Sequence, residues 1–179
     1  MNTKSATQKK QQSGFTLMEV LVATIVLMTG LVAVAQLIPV AITANDGSRR
    51  DSTATIIAQR ELAQFLEQPL TVPPQYTDTL LHVCYLGDPA QPGVTVGSPV
   101  IISGGRPVIN FSAATVANYN FTTIPDPEDP YRATYDVRWA VITGATGGNV
   151  FSRRFIISAR QTNARSFVLP LTLDAMVLR

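Results

Sequence analysis

The sequence predicts an α+β protein: a long N-terminal helix, transmembrane and then amphipathic, packed against a small antiparallel β-sheet. Three features lead there. No charge falls between Glu19 and Asp46, which leaves Val20 to Asn45 as twenty-six uncharged residues in a row. From Arg49 to Gln68 apolar residues recur at helical three- and four-residue steps. Beyond Pro74 the apolar period shortens to two, most clearly from Tyr131 onward.

A chain of 179 residues is long enough for one domain with a real core, or one small domain with an appendage. Its charged fraction of 15% is low against a usual ~25%, and the formal charge of +2 is unevenly placed. Lys4, Lys9 and Lys10 make the first fourteen residues +3; after Gly14, eleven arginines face twelve carboxylates, a net of −1. A sustained basic surface for a phosphate backbone is therefore not expected, and nucleic acid is an unlikely partner. One Cys (Cys84) and one His (His82) exclude an intrachain disulfide, a multi-Cys zinc site and a two-His metal motif. No cofactor is implied, and without a lysine after Lys10 the body of the chain has no Lys-to-Asn isopeptide staple.

Residues 15–44 exceed the ~20 apolar residues that span a hydrocarbon core as a helix. A secretory signal has a shorter apolar region, ~7–15 residues, with its small-residue cleavage site after it; here the small residue, Gly14, comes first. The lysines ahead of the span favour a cytoplasmic N-terminus and an exported C-terminal part. Glu19 is the anomaly, because a carboxylate inside lipid is costly and is usually partnered. A cut after Gly14 would free an α-amine on Phe15, one helical turn before Glu19.

Gly14-Phe15-Thr16-Leu17-Met18-Glu19, with a lysine-bearing leader before it and Val20-Leu21-Val22-Ala23 after it, resembles the class III signal of type IV prepilins and pseudopilins. That resemblance implies cleavage by prepilin peptidase between Gly14 and Phe15, N-methylation of Phe15, and a subunit-assembly role for Glu19 against a neighbouring subunit's N-terminus. It makes residues 1–14 a leader peptide, 15–44 a transmembrane and filament-core helix, and 45–179 a periplasmic, pilin-like headgroup. It also implies other major and minor pilins, an inner-membrane assembly platform and, before extraction, membrane lipid as partners. The stretch from Glu19 to Leu37 looks most like minor pilins of the PilV type; it is also similar to the minor pseudopilin at the tip of type II secretion filaments. A tip adhesin or DNA-capture subunit is a further alternative, and an enzyme is not expected.

Within the helix, Pro39 predicts a kink or a loosened turn. Asn45-Asp46-Gly47-Ser48 predicts a break, with Asp46 or Ser48 capping the next helix. That helix, 49–68, turns Ala54, Ile57, Ala58, Leu62, Phe65 and Leu66 to one side and ends at Pro69. The remainder, 80–179, reads as β-rich. Short strands are expected at Leu80–Leu86, Val94–Val96, Val100–Ser103 and Pro107–Phe111. A hairpin then sets Tyr131, Ala133, Tyr135, Val137, Trp139 and Val141 beside Phe151, Phe155, Ile157 and Ala159, with a turn over Thr143–Asn149. A last strand carries Phe167, Leu169, Leu171 and Leu173. Arg132, Arg138, Arg154 and Arg160 are placed on a wet sheet face.

No catalytic constellation converges. His82 and Cys84 share a strand face two residues apart, and Cys84 reads as a buried core thiol rather than a nucleophile. Asp126, Glu128 and Asp129 offer oxygen ligands but lack the spacing and glycine of a calcium loop, so no metal is expected. The glycines at Gly144, Gly147 and Gly148 join strands and form no phosphate loop.

Overall fold

A computed structural model describes residues 14–70, 74–128, 132–163 and 170–178. The leader lysines, Asp129, Pro130, Tyr131, Phe167 and Leu169 lie outside the described residues. The α+β architecture is the expected one. It comprises α1 (Leu17–Glu67), β1 (Gln75–Thr77), β2 (Val83–Tyr85), β3 (Thr95–Gly97), β4 (Val100–Ser103), β5 (Arg106–Ile109), β6 (Asn120–Thr123), β7 (Tyr135–Thr146), β8 (Asn149–Gln161) and β9 (Leu171–Leu178). The chain divides after Asp46 into two units, Met1–Asp46 and Gly47–Arg179.

In the first unit α1 is helical throughout, and its apolar side chains from Leu17 to Ile42 are all exposed. Pro39 lies within it, and its missing N–H leaves Ala35 without an i→i−4 donor. The helix does not break at Asn45–Ser48, contrary to the sequence expectation. A glycine inside a helix costs about 1 kcal/mol against alanine, less than abandoning a turn of backbone hydrogen bonds and building two new caps.

The second unit is organised by a five-stranded antiparallel sheet. Its path runs β3-β7-β8-β9, and β6 pairs with another stretch of β7. Two hairpins, β1-β2 and β4-β5, flank it. The stripe Ala54, Ile57, Ala58 and Phe65 of α1 packs with Tyr135, Val137, Trp139 and Val141 of β7 and Phe155, Ile157 and Ala159 of β8, all buried in one core. Phe65 is fully enclosed, its ring centroid 5.2 Å from Trp139 and 5.6 Å from Phe155. Close approach also fixes Gly97 in β3: it has φ +109°, and a Cβ there would come within 2.8 Å of the Trp139 carbonyl oxygen.

Several expectations are corrected. The strand placed at Leu80–Leu86 shortens to β2, while β1 and β6, whose alternation is too brief to read, are additional. The turn narrows to Gly147-Gly148 because β7 runs on to Thr146. A bulge after Gly144 pairs it with Ser152 and pairs Ala145 with Val150, so Phe151 leaves the apolar row and is exposed. The second sheet face is not wet: Ile109 and Phe111 cover Ala140 and Ile156 in a smaller core. Under that cover Arg138 and Asp136 are both buried and paired, with Arg138 Nε 2.9 Å from Asp136 Oδ2. Arg138 also donates to the Ala113 carbonyl at 2.9 Å, and Arg138 and Arg160 lie over the Phe111 ring. Arg154 pairs with Asp174 on β9.

Phe65→Ala is expected to lower the unfolding free energy of the detergent-solubilised chain by about 3–5 kcal/mol. The emission of Trp139, which is the chain's single tryptophan and fully buried, reports the transition. A loss below ~1 kcal/mol would show that α1 does not anchor this core.

Candidate functional site

Gly14, Phe15 and Thr16 precede the helix and are exposed. Thr16 occupies the N-cap: its carbonyl accepts the N–H groups of Glu19 (3.1 Å) and Val20 (3.2 Å), and its Oγ1 accepts the Glu19 N–H at 3.2 Å. Glu19 is therefore the third residue of the helix, where a carboxylate favours the positive end of the macrodipole. Its side chain has no ion-pair partner among the described residues. The cleavage residues Gly14 and Phe15 thus sit in non-helical chain one step ahead of the cap, and Glu19 lies just inside it.

Beyond Glu19 the helix presents Val20, Leu21, Ile25, Leu31, Leu37 and Ile42 outward on all sides. Such a helix is long and apolar enough to cross a membrane. Its threonines spend their hydroxyls on their own backbone: Thr24 donates to Leu21 O (2.8 Å), Thr29 to Val26 O (2.9 Å) and Thr43 to Val40 O (2.9 Å). Side-chain polarity that lipid or a packed apolar neighbour would leave unsatisfied is met inside the helix.

Residues 9–35 match a family model described as the prokaryotic N-terminal methylation motif. No curated protein and no solved structure matches the chain. The matched segment contains the Gly14–Phe15 bond, Thr16, Glu19 and the first part of the apolar helix. It supports a type IV pilin- or pseudopilin-like protein bearing a class III signal, and that signal implies processing by prepilin peptidase and assembly with other pilins. A membrane-anchored chain is consistent with the same motif and helix.

The remaining candidates resolve into structure. His82 precedes β2 and turns its Nδ1 to Asp78 Oδ2 at 2.7 Å, while its ring stacks on Phe121 at 4.5 Å. Cys84 is fully buried, donates weakly to the His82 carbonyl, and is pushed up to about 12 by burial and then by the charges of Asp78 and Glu61. It is a thiol at any ordinary pH, with no imidazole beside it to activate it. In the acidic loop, Asp126 Oδ1 accepts the Glu128 N–H at 3.0 Å in a local turn; Asp129 lies outside the described residues. Among the described residues no group of three His, Cys, Asp or Glu side chains converges as a metal cage.

Two buried charged residues were not legible in the pattern. Glu61 falls on the core side of α1, with Oε1 bonded to Arg60 Nη2 at 2.8 Å and Oε2 unpartnered. Burial, the largest influence, raises its carboxyl above the usual value, against the opposing pull of Arg60. Arg153 continues the core-facing row of β8, opposite Thr143, and donates to the Pro69 and Leu70 carbonyls at 3.1 Å each. It thereby ties the chain just past α1 to the sheet, at the cost of burying a guanidinium whose pKa is lowered by desolvation. The available signal was parity, since Arg153 stands between Phe151 and Phe155 in the alternating row.

A carboxyl raised by folding contributes stability that is full below its unfolded value and is lost as pH rises through the folded one. Glu61→Gln keeps the Arg60 acceptor and removes the buried charge. Its melting temperature is expected to exceed the parent's at pH 7, with the gap closing as pH falls below 4.5. A variant that melts lower at pH 7 and stays lower in acid would contradict this origin of the shift.

Proposed function

We propose that the chain is a minor pilin subunit of a type IV pilus. The observation that carries this is the placement of the matched methylation motif: a capped helix start with Phe15 and Glu19 at its mouth, followed by an apolar helix exposed on every side. In this reading prepilin peptidase cuts after Gly14 and methylates Phe15. The helix then waits in the inner membrane, N-terminus cytoplasmic and headgroup periplasmic, until extraction into the filament. Packing is the mechanism. The apolar helix joins the filament core, and Glu19 neutralises a neighbouring subunit's N-terminal amine inside it. The headgroup sets the subunit's place in an initiating or tip complex. A minor role is supported by the single buried Cys84, which leaves no C-terminal cysteine pair of the kind many major pilins carry.

Mass spectrometry of the membrane fraction is expected to find a mature chain beginning at methylated Phe15; a chain retaining Met1 would overturn the reading. Deleting the gene is expected to abolish or shorten pili, whereas loss of protein secretion with pili intact would assign it to a type II secretion pseudopilus. Glu19→Gln should leave cleavage intact and reduce incorporation into filaments roughly tenfold or more, as for a charge pair buried on association. Incorporation at the parent level would remove Glu19 from assembly.

A further inference from the structure

We propose that Thr16 is a positioning residue for processing: by capping α1 it holds the Gly14–Phe15 bond outside the helix, in the open chain a peptidase must bind. This inference rests on the processing reading above.

The geometry is local. Thr16 Oγ1 and its carbonyl both take the Glu19 N–H, and helical structure begins at Leu17. Gly14 and Phe15 are non-helical and exposed. A peptide bond inside a helical turn has its N–H and carbonyl engaged or crowded by the turn, and hydrolysis requires those groups free to enter a cleft. In the reaction water adds across the Gly14–Phe15 amide. The C–N bond breaks, leaving the Gly14 carboxylate on the leader and the Phe15 α-amine on the mature chain, with the peptidase supplying the catalytic groups. Thr16 touches none of the reacting atoms and acts through where the helix starts.

The sequence leaves the cap one place to go. From Leu17 to Ala23 no Ser, Thr, Asn, Asp or Gly can cap a later start, and the nearest upstream alternative is Ser13. With alanine at position 16, a strong helix former replaces the cap. A start at Ser13 would draw the scissile bond into the first turn. The same register matters after cleavage. The cap leaves Phe15 alone ahead of the helix, which places the new cationic amine against the positive end of the macrodipole and within a turn of Glu19.

The test uses the full chain in detergent micelles with a purified prepilin peptidase. Thr16→Ala and Thr16→Val are expected to lose about fivefold in kcat/KM, the worth of a typical cap. Thr16→Ser and Thr16→Asn, which restore a capping oxygen, should stay within about twofold of the parent. Carbon chemical shifts at Gly14 and Phe15 should move toward helical values in the alanine variant alone. Trp139 emission confirms an intact headgroup in each. A parent that is cut, with alanine cut equally fast, overturns the positioning role and leaves the processing reading standing. Rescue by serine but not asparagine also overturns it, since that pattern marks a contact with the hydroxyl rather than a cap. A parent left uncut overturns the processing reading and this inference together.

Discussion

The second unit depends on the seating of the α1 stripe on the inner face of β7 and β8, with Phe65 enclosed by Trp139 and Phe155. An apolar stripe of this width gains only by leaving water, and each large side chain it buries contributes about 1.5–3 kcal/mol. The sheet gains equally, because its odd-numbered positions on β7 would otherwise face solvent. Gly97, the β1-β2 hairpin and the Arg153 tie all take their positions from that contact. Without it, three-residue strands such as β1 and β3 would have too little pairing to persist.

α1 carries two chemistries on one continuous backbone. Up to Asp46 it is apolar on every side, a surface suited to lipid or to the flanks of other helices. After Gly47 only one side is apolar, and that side is consumed by the sheet. The hydroxyls of Thr24, Thr29 and Thr43 turn back onto the helix, so little polarity remains in the first stretch except Glu19 at its mouth. That isolation makes Glu19 useful: a lone carboxylate at the edge of an apolar helix discriminates strongly for a cationic group entering with another helix.

The polar interior of the second unit serves geometry rather than chemistry. Asp78 accepts the Leu80 and His82 N–H groups on one oxygen and the His82 ring on the other, bracing the β1-β2 loop. Arg138 and Asp136 fasten the cover segment to the outer sheet face. Each buried group costs desolvation and is retained with partners that fix one arrangement of loops. The arginines that might have formed a basic stripe are absorbed in this way, by Asp136, by Asp174 and by the Phe111 ring.

What could be read from the chain alone was whatever short-range periodicity encodes. The charge gap, the Gly14 to Glu19 motif, the stripe from Ala54 to Leu66 and the alternation on β7 are all properties of neighbours in sequence, and each reappears in the fold. Misreadings arose where a partner distant in sequence decides the outcome. The helix runs through Asn45–Ser48 because turn-forming residues are outweighed by the backbone ladder on both sides of them. The face of Arg138 is dry because Ile109 and Phe111 return from some thirty residues away to cover it. Phe151 is wet because a bulge, set by how β7 and β8 pair, shifts its register. Glu61 and Arg153 look like surface charges until the hairpin and the helix end close over them. Local composition therefore determined the signal, the membrane-length helix and the α+β class. The tertiary structure alone decided which faces are covered, because burial is a relation between segments that no single segment contains.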